Sequence, residues 1–221
     1  MKKIGLIVAM QKELEFYANF LNNFEIKEIN HYKFYCGNIY DKELIVATAG
    51  IGKVNSALCT SCLINNFQPD IIINIGISGG LDENLNIGDF VIGKEIVYHD
   101  VWCGEPNQYG QIQDCPAVYH SDEIISLLTD YKKGLICCGD KFISGDHEVK
   151  IIKEKFPTAL AVDMESAAIA HTCYLYNKPY ISIRQISDVP GDKYQQEQYA
   201  NFWNNAPKKS VETIKNILNK I

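Results

Sequence analysis

The chain has 221 residues, of which 47% are hydrophobic and 22% charged, the make-up of an ordinary globular domain that can bury a sizeable core without a metal or a disulfide framework. Its formal net charge of −6, with no basic stripe, repels phosphate backbones and argues against a nucleic-acid partner. No run approaches the roughly 18 consecutive apolar residues of a membrane span, so no membrane role is expected.

The first residues, MKKIGLIVAM, carry a basic pair and a short apolar run, and Lys12 and Glu13 follow where a signal peptide would need a longer apolar core. A cytoplasmic setting is expected, in which the eight cysteines stay reduced and act as small apolar fillers. No repeat, low-complexity tract or linker divides the chain, which reads as a single domain over 1–221.

The predicted elements alternate along the chain. A strand over Ile4–Ala9 leads into a helix over Gln11–Leu21. Strands over Tyr32–Ile39 and Leu44–Ala49 flank Tyr40–Glu43 as a hairpin. From Lys53, apolar Val54, Ala57, Leu58, Cys62 and Leu63 recur at helical spacing. Ile71–Ile75 is a strand apolar enough to be covered on both faces. Then come a strand over Asp89–Tyr98, a helix over Asp122–Thr129, a strand over Leu135–Cys138, a helix over Glu148–Lys155 and a strand over Leu160–Val162. A helix over Glu165–Tyr176, a strand over Tyr180–Ile186 and a helix over Ser210–Ile221 close the chain. This alternation predicts an α/β fold with a mixed, mostly parallel central sheet flanked by helices, whose ligands gather at the carboxyl ends of strands.

Several motifs sit at such ends. Gly50-Ile51-Gly52-Lys53 turns from strand to helix but fails the phosphate-loop pattern, with Ala47 and Val54 at its key places, and fails the dinucleotide pattern at Asn55. A plain tight turn is the simpler reading. The run 74–80, Asn-Ile-Gly-Ile-Ser-Gly-Gly, closes another strand as a second glycine turn. Cys59 and Cys62 form a CxxC well inside a helix, where packing outweighs redox chemistry or zinc. His99, Asp100 and Cys103 make a poor metal corner, and His171 reads as structural. The strongest local signal is Val162-Asp163-Met164-Glu165-Ser166, a strand end passing into a helix, and further carboxylates stand at two other strand ends, Glu13 after the first strand and Asp188 after Ile186-Ser187. Each taken singly is a helix-dipole partner or a cap. Together, Glu13, Glu165 and Asp188 sketch an acid–base site.

In order along the chain, IGLIVAMQKELE, AGIGKVNSA, DIIINIGISGGL, GDFVIGKEIVYHD, GDKFISGDHEV, AVDMESAAIAH and IRQISDV resemble the bacterial methylthioadenosine/S-adenosylhomocysteine nucleosidases of the nucleoside phosphorylase superfamily. The resemblance covers nearly the whole chain. It implies that Glu13 activates water, that Glu165 bonds ribose hydroxyls with Arg184 nearby, and that Asp188, preceded by Ser187, is the acid beside the purine. It places Met10 near the sulfur substituent, Phe142 against adenine, Ile143 at the purine edge through its backbone, Met164 under the ribose and Tyr199 as an aromatic lid with Phe202 behind it. Ile77 stands where many members have serine, with Ser78 where they have alanine, and Val101–Gln108 is shorter than the enterobacterial pattern, with Trp102 in reach of the partner-subunit aromatic's role. A homodimer pairing across the 5′ pocket is implied.

The chemistry needs an acid to protonate the purine, negative charge for an oxocarbenium-like sugar, and an oriented water, which suits Asp188, Glu165 and Glu13, with no metal or organic cofactor. Phosphorolysis is the rival, but phosphate favours arginine clamps and the chain has one arginine, Arg184. A futalosine-type nucleosidase and a non-catalytic nucleoside binder on the same fold remain open at this point.

Overall fold

Strand β1 (Lys3–Val8) carries an apolar run whose residues from Ile4 onward are buried. It lies between β4 (Lys42–Thr48) and β5 (Ile71–Gly80), parallel to both. Both faces of these strands are covered. Ile4, Leu6 and Val8 join Leu44, Val46, Ile71 and Ile73 in one core, while Ile7, Ile45, Ala47 and Ile72 point into another. A period of two with apolar residues on both phases is what makes these segments read as continuous hydrophobic runs.

The computed structural model describes residues 2–18, 21–205 and 207–221. Among them the sheet holds ten strands. The hairpin β2 (Asn22–Ile29) and β3 (Tyr32–Ile39) extends it antiparallel beyond β4. On the other side, β6 (Phe90–Tyr98), β8 (Lys132–Cys138), β9 (Ala159–Asp163) and β10 (Tyr180–Asp188) follow, and the two-residue β7 (Tyr119–His120) pairs with β6. The strands β5, β10, β6, β8 and β9 close a ring, because β10 and β9 both pair with β5. The sheet is mixed, with the parallel pairings β4–β1–β5–β10 at its centre.

Helices α1 (Gln11–Ala18), α2 (Lys53–Phe67), α3 (Asp146–Lys155), α4 (Ser166–Leu175), α5 (Gln195–Asn205) and α6 (Pro207–Lys220) flank the sheet. In α3, Glu148 reaches back to accept from the Ser144 and Gly145 amides, both 3.1 Å away, which satisfies donors a helix start leaves free. α4 begins Ser-Ala-Ala, and the fully buried Ser166 and Ala167 let its first turn lie against the strands. α6 lays Ile214, Ile217 and Leu218 onto the core that holds β1.

Four expectations are corrected. The helix expected over 11–21 stops at Ala18, residues 19 and 20 lie outside the described residues, and 22–29 form a strand whose Glu and Lys face solvent on a sheet edge. Residues 122–129 form a 3-10 helix over Glu123–Leu127, capped by the Asp122 carboxylate on the Ile124 amide at 2.9 Å. The glycine run to Gly80 is no turn: β5 continues through it, pairing with β10 and β9. An added Cβ at Gly79 would lie 2.5 Å from Pro190, so these glycines serve close approach between strand and loop. Helix α5 was not expected at all, since Gln195–Asn205 has no strong apolar period.

Candidate active site

The carboxyl ends of β1, β5, β9 and β10 and the loop after β8 converge on one cleft of about 620 Å³ up to its mouth. That is the size of a small-molecule site. Eleven of the twelve residues singled out from the sequence line it: Met10, Glu13, Ile77, Ser78, Phe142, Ile143, Met164, Glu165, Ser187, Asp188 and Tyr199. The twelfth, Arg184, does not.

Glu13 stands in the first turn of α1 and is buried. Its Oε2 accepts from the Ala9 and Met10 amides, both at 2.9 Å, and its Oε1 accepts from the Ile77 amide at 3.1 Å. Burial pushes its pKa up, while these amides and the charge of Arg184 pull it down. The bond from Ile77 comes from its backbone, so isoleucine in place of serine leaves it intact. The neighbouring Ser78 hydroxyl is buried without a hydrogen-bond partner among the described residues.

Arg184 is corrected from a ribose-end ligand to a core residue. On β10 and 1% exposed, it donates from Nε to Asp163 Oδ2 at 2.5 Å, from Nη1 to the Asn74 and Ile183 carbonyls, and from Nη2 to Asn74 Oδ1. Asp163, read from sequence as a helix-dipole partner, is thereby the arginine's ion-pair partner, and it also accepts from the Ser166 hydroxyl at 2.8 Å at the start of α4. Asn74 was missed. Its signal was present, as the one polar residue within the apolar run of β5.

Glu165 accepts from the Gly52 amide at 3.0 Å. Its pKa is raised to about 7, first by burial and then by the charges of Asp163 and Glu13, against the pull of Arg184. Gly52 has φ +94, a conformation that side chains rarely adopt, so glycine is needed for this amide to face the cleft. The next amide, of Lys53, donates to Asp140 at 2.7 Å, and the Lys53 ammonium bonds Asp100 at 2.8 Å. The glycine turn at the start of α2 is therefore occupied by the protein's own carboxylates.

Asp188 is 2% exposed, and burial raises its pKa. Its Oδ1 accepts from the Ser187 hydroxyl at 2.5 Å and its Oδ2 from the Gln195 amide at 2.7 Å. Gln195, on α5, was missed because no helix was expected there. An aromatic wall stands opposite. Phe142, 48% exposed, meets Tyr199 edge to face with ring centres 5.9 Å apart, and the Tyr199 hydroxyl points to Met10 Sδ at 3.8 Å. A flat apolar ring edge-on at a cleft mouth leaves its face for a planar ligand.

The remaining motifs fall to packing. Cys59 and Cys62 are buried, and all eight cysteines are free thiols. His171 touches Tyr98 and Cys115 at 3.3 Å. Among the described residues no group of three His, Cys, Asp or Glu side chains is placed to hold a metal, and no helix is long and apolar enough to cross a membrane.

The Phosphorylase superfamily model matches residues 3–221. The 5′-methylthioadenosine/S-adenosylhomocysteine nucleosidase of Staphylococcus aureus strain JH9 is 37% identical, over 99% of this chain and 100% of that protein. Among solved structures, the S-adenosylhomocysteine nucleosidase of Streptococcus pyogenes with 5-methylthiotubericidin has a TM-score of 0.94 at 32% identity, over 100% of this chain and 97% of that one. The 5′-methylthioadenosine/S-adenosylhomocysteine nucleosidase of Neisseria meningitidis with methylthio-immucillin-A has a TM-score of 0.94 at 32% identity, over the full length of both chains. With such matches end to end, the chain belongs to the 5′-methylthioadenosine/S-adenosylhomocysteine nucleosidase family of the phosphorylase superfamily.

Proposed function

We propose that this chain hydrolyses the N-glycosidic bond of 5′-methylthioadenosine and S-adenosylhomocysteine, releasing adenine and the thioribose. The observation that carries the reading is that Glu13, Glu165 and Asp188 line one cleft as buried carboxyl groups. The curated relative from Staphylococcus aureus bears that activity in its name, and the neighbours from Streptococcus pyogenes and Neisseria meningitidis hold methylthio-substituted ligands.

The division of labour follows from the surroundings of each carboxyl. Asp188, kept toward its protonated form by burial, protonates the purine so that it departs as a neutral base. Glu165 hydrogen-bonds the ribose hydroxyls and faces the developing positive charge on the sugar. Glu13, oriented by three backbone amides, positions and deprotonates the attacking water. Phe142 stacks on adenine, Ile143 reads the purine edge, Met164 lies under the ribose, and Met10 with Tyr199 encloses the 5′-substituent. Nothing in this scheme requires a metal or an organic cofactor.

Hydrolysis is favoured over phosphorolysis by where the donors go. The Arg184 guanidinium is committed to Asp163 and Asn74, the first amides of α2 to Glu165 and Asp140, and the ammonium of Lys141 at the cleft to Glu148. A phosphate dianion entering the cleft would meet Glu13 and Glu165 instead of free donors. Free thiols at all eight cysteines suit the reducing cytoplasm, where we place the enzyme. Val54 and Leu58 on α2, Ile51 just before it, and Trp102 are exposed apolar side chains, and to these we assign the contacts of a two-fold homodimer.

Three outcomes are expected. Adenine release from 5′-methylthioadenosine proceeds at the same rate in phosphate-free buffer and in phosphate; strict phosphate dependence with ribose-1-phosphate-type products contradicts the reading. Asp188→Asn lowers turnover by about 100- to 10,000-fold, while affinity for a non-hydrolysable analogue changes far less, because the proton matters chiefly in the transition state. Retention of more than about a tenth of turnover, short of the low end of that range, would make Asp188 a structural residue. Light scattering at micromolar concentration gives twice the 25.0 kDa chain mass, and a monomer mass removes the dimer.

A further inference from the structure

The Gln195 carboxamide is buried at the start of α5, and each of its polar atoms has a use. One amide hydrogen goes to Asp188 Oδ2 at 2.7 Å and the other to the Ile143 carbonyl at 2.8 Å. Its Oε1 accepts from the Gly191 amide at 3.3 Å. These partners fix the orientation. Turned over, the carboxamide would set its oxygen against a carboxylate and a carbonyl and its NH2 against an N–H, losing three bonds. Gln195 does not line the cleft, so it grips Asp188 and Ile143 from behind.

We propose that Gln195 is a positioning residue that decides which oxygen of Asp188 carries the proton and how tightly it is held. This rests on the reading of Asp188 as the acid. With an N–H donor pinned on Oδ2, the proton favours Oδ1, because a carbonyl-type oxygen accepts that bond better than a hydroxyl oxygen does. Oδ1 faces the Ser187 hydroxyl, whose single proton has a second acceptor in the Ser78 carbonyl at 3.2 Å. When Oδ1 is protonated, Ser187 turns its hydrogen to Ser78; when the proton has left, Ser187 donates to the carboxylate. Gln195 and Ser187 thus both stabilise the anion that proton delivery leaves behind, against the burial that favours the acid. By joining Asp188 to Ile143, the same side chain fixes the acid relative to the backbone that we assign to the purine edge.

The groups around Asp188 leave this as the interaction to test. Tyr199 on α5 feels its charge, and Lys141, Glu13, Asp163 and Glu165 share the cleft. Asp146 at the start of α3 lies against Gly191. Among the described residues, the side chains that hydrogen-bond Asp188 are Ser187 and Gln195.

The experiment compares wild type with Gln195→Met, which keeps the length but cannot donate, and Gln195→Glu, which sets a second carboxyl against the first. Removing a donor from a carboxylate raises its pKa, so the acid keeps its proton to higher pH. In Gln195→Met the alkaline limb of the kcat profile moves up by about one unit, the worth of one hydrogen bond to a charged group. At neutral pH kcat falls by about ten- to a hundredfold as the acid loses its aim, with KM changed much less. Gln195→Glu moves the limb further than Gln195→Met, because two carboxyls in contact resist joint ionisation. Carboxyl carbon-13 NMR titration of Asp188 in the ligand-free proteins, assigned with Asp188→Asn, follows the same order without turnover, so it answers even if the wild type releases no adenine. An Asp188 pKa unchanged in both variants, or a kcat loss equal at every pH, overturns the proposal.

Discussion

The guanidinium of Arg184 lies in the core, bonded to Asp163 and close enough to Glu13 and Glu165 for its charge to lower both their pKa values. Three carboxyl groups at the carboxyl ends of strands would each resist burial as anions. One fixed cation beneath them, held by Asn74 on β5 and by the backbone of β10, allows the cluster to exist. A lysine could not replace it, because the fork of donors engages a carboxylate, a side-chain amide and two carbonyls at once. The chain's single arginine is thus spent on internal charge compensation, away from any anionic ligand.

From that cluster outward the surroundings grade each carboxyl differently. Glu13 is tied by three amides, Glu165 by one amide beside two other acids, and Asp188 lies outside the arginine's reach with a hydroxyl and an amide as its donors. Groups of one chemical type with separated proton affinities are what a site needs when one must give a proton and another must take one. The topology supplies the spacing, since parallel β1, β5 and β10 deliver Glu13, Ile77 and Asp188 to the same end of the sheet.

Much of this was legible in the residues. The apolar runs Ile71–Ile75 and Tyr180–Ile186 located the central strands, and carboxylates just past strand ends located the cleft. The misses have physical causes. The β2 segment is a sheet edge with Glu and Lys on its open side, so it lacks a strong apolar period. The glycines of β5 resemble a turn because close packing against Pro190 and a turn call for the same residue. The resemblance sets Arg184 near the ribose end, and a lone charge in an apolar strand suits ligand binding and internal pairing equally well; its bonds to Asp163 and Asn74 separate the two. Gln195 carries no sequence signal, since its role depends on where α5 begins in space.

Arg184 serves the buried carboxylates. Urea unfolding of Arg184→Met, Asp163→Asn and the double variant tests this role. Arg184→Met alone is expected to cost about 3–5 kcal/mol by stranding buried charge. The double variant is expected to be more stable than the sum of the single losses by upward of about 1 kcal/mol, the sign of direct coupling. Single losses that simply add, or an Arg184→Met variant as stable as wild type, would contradict it.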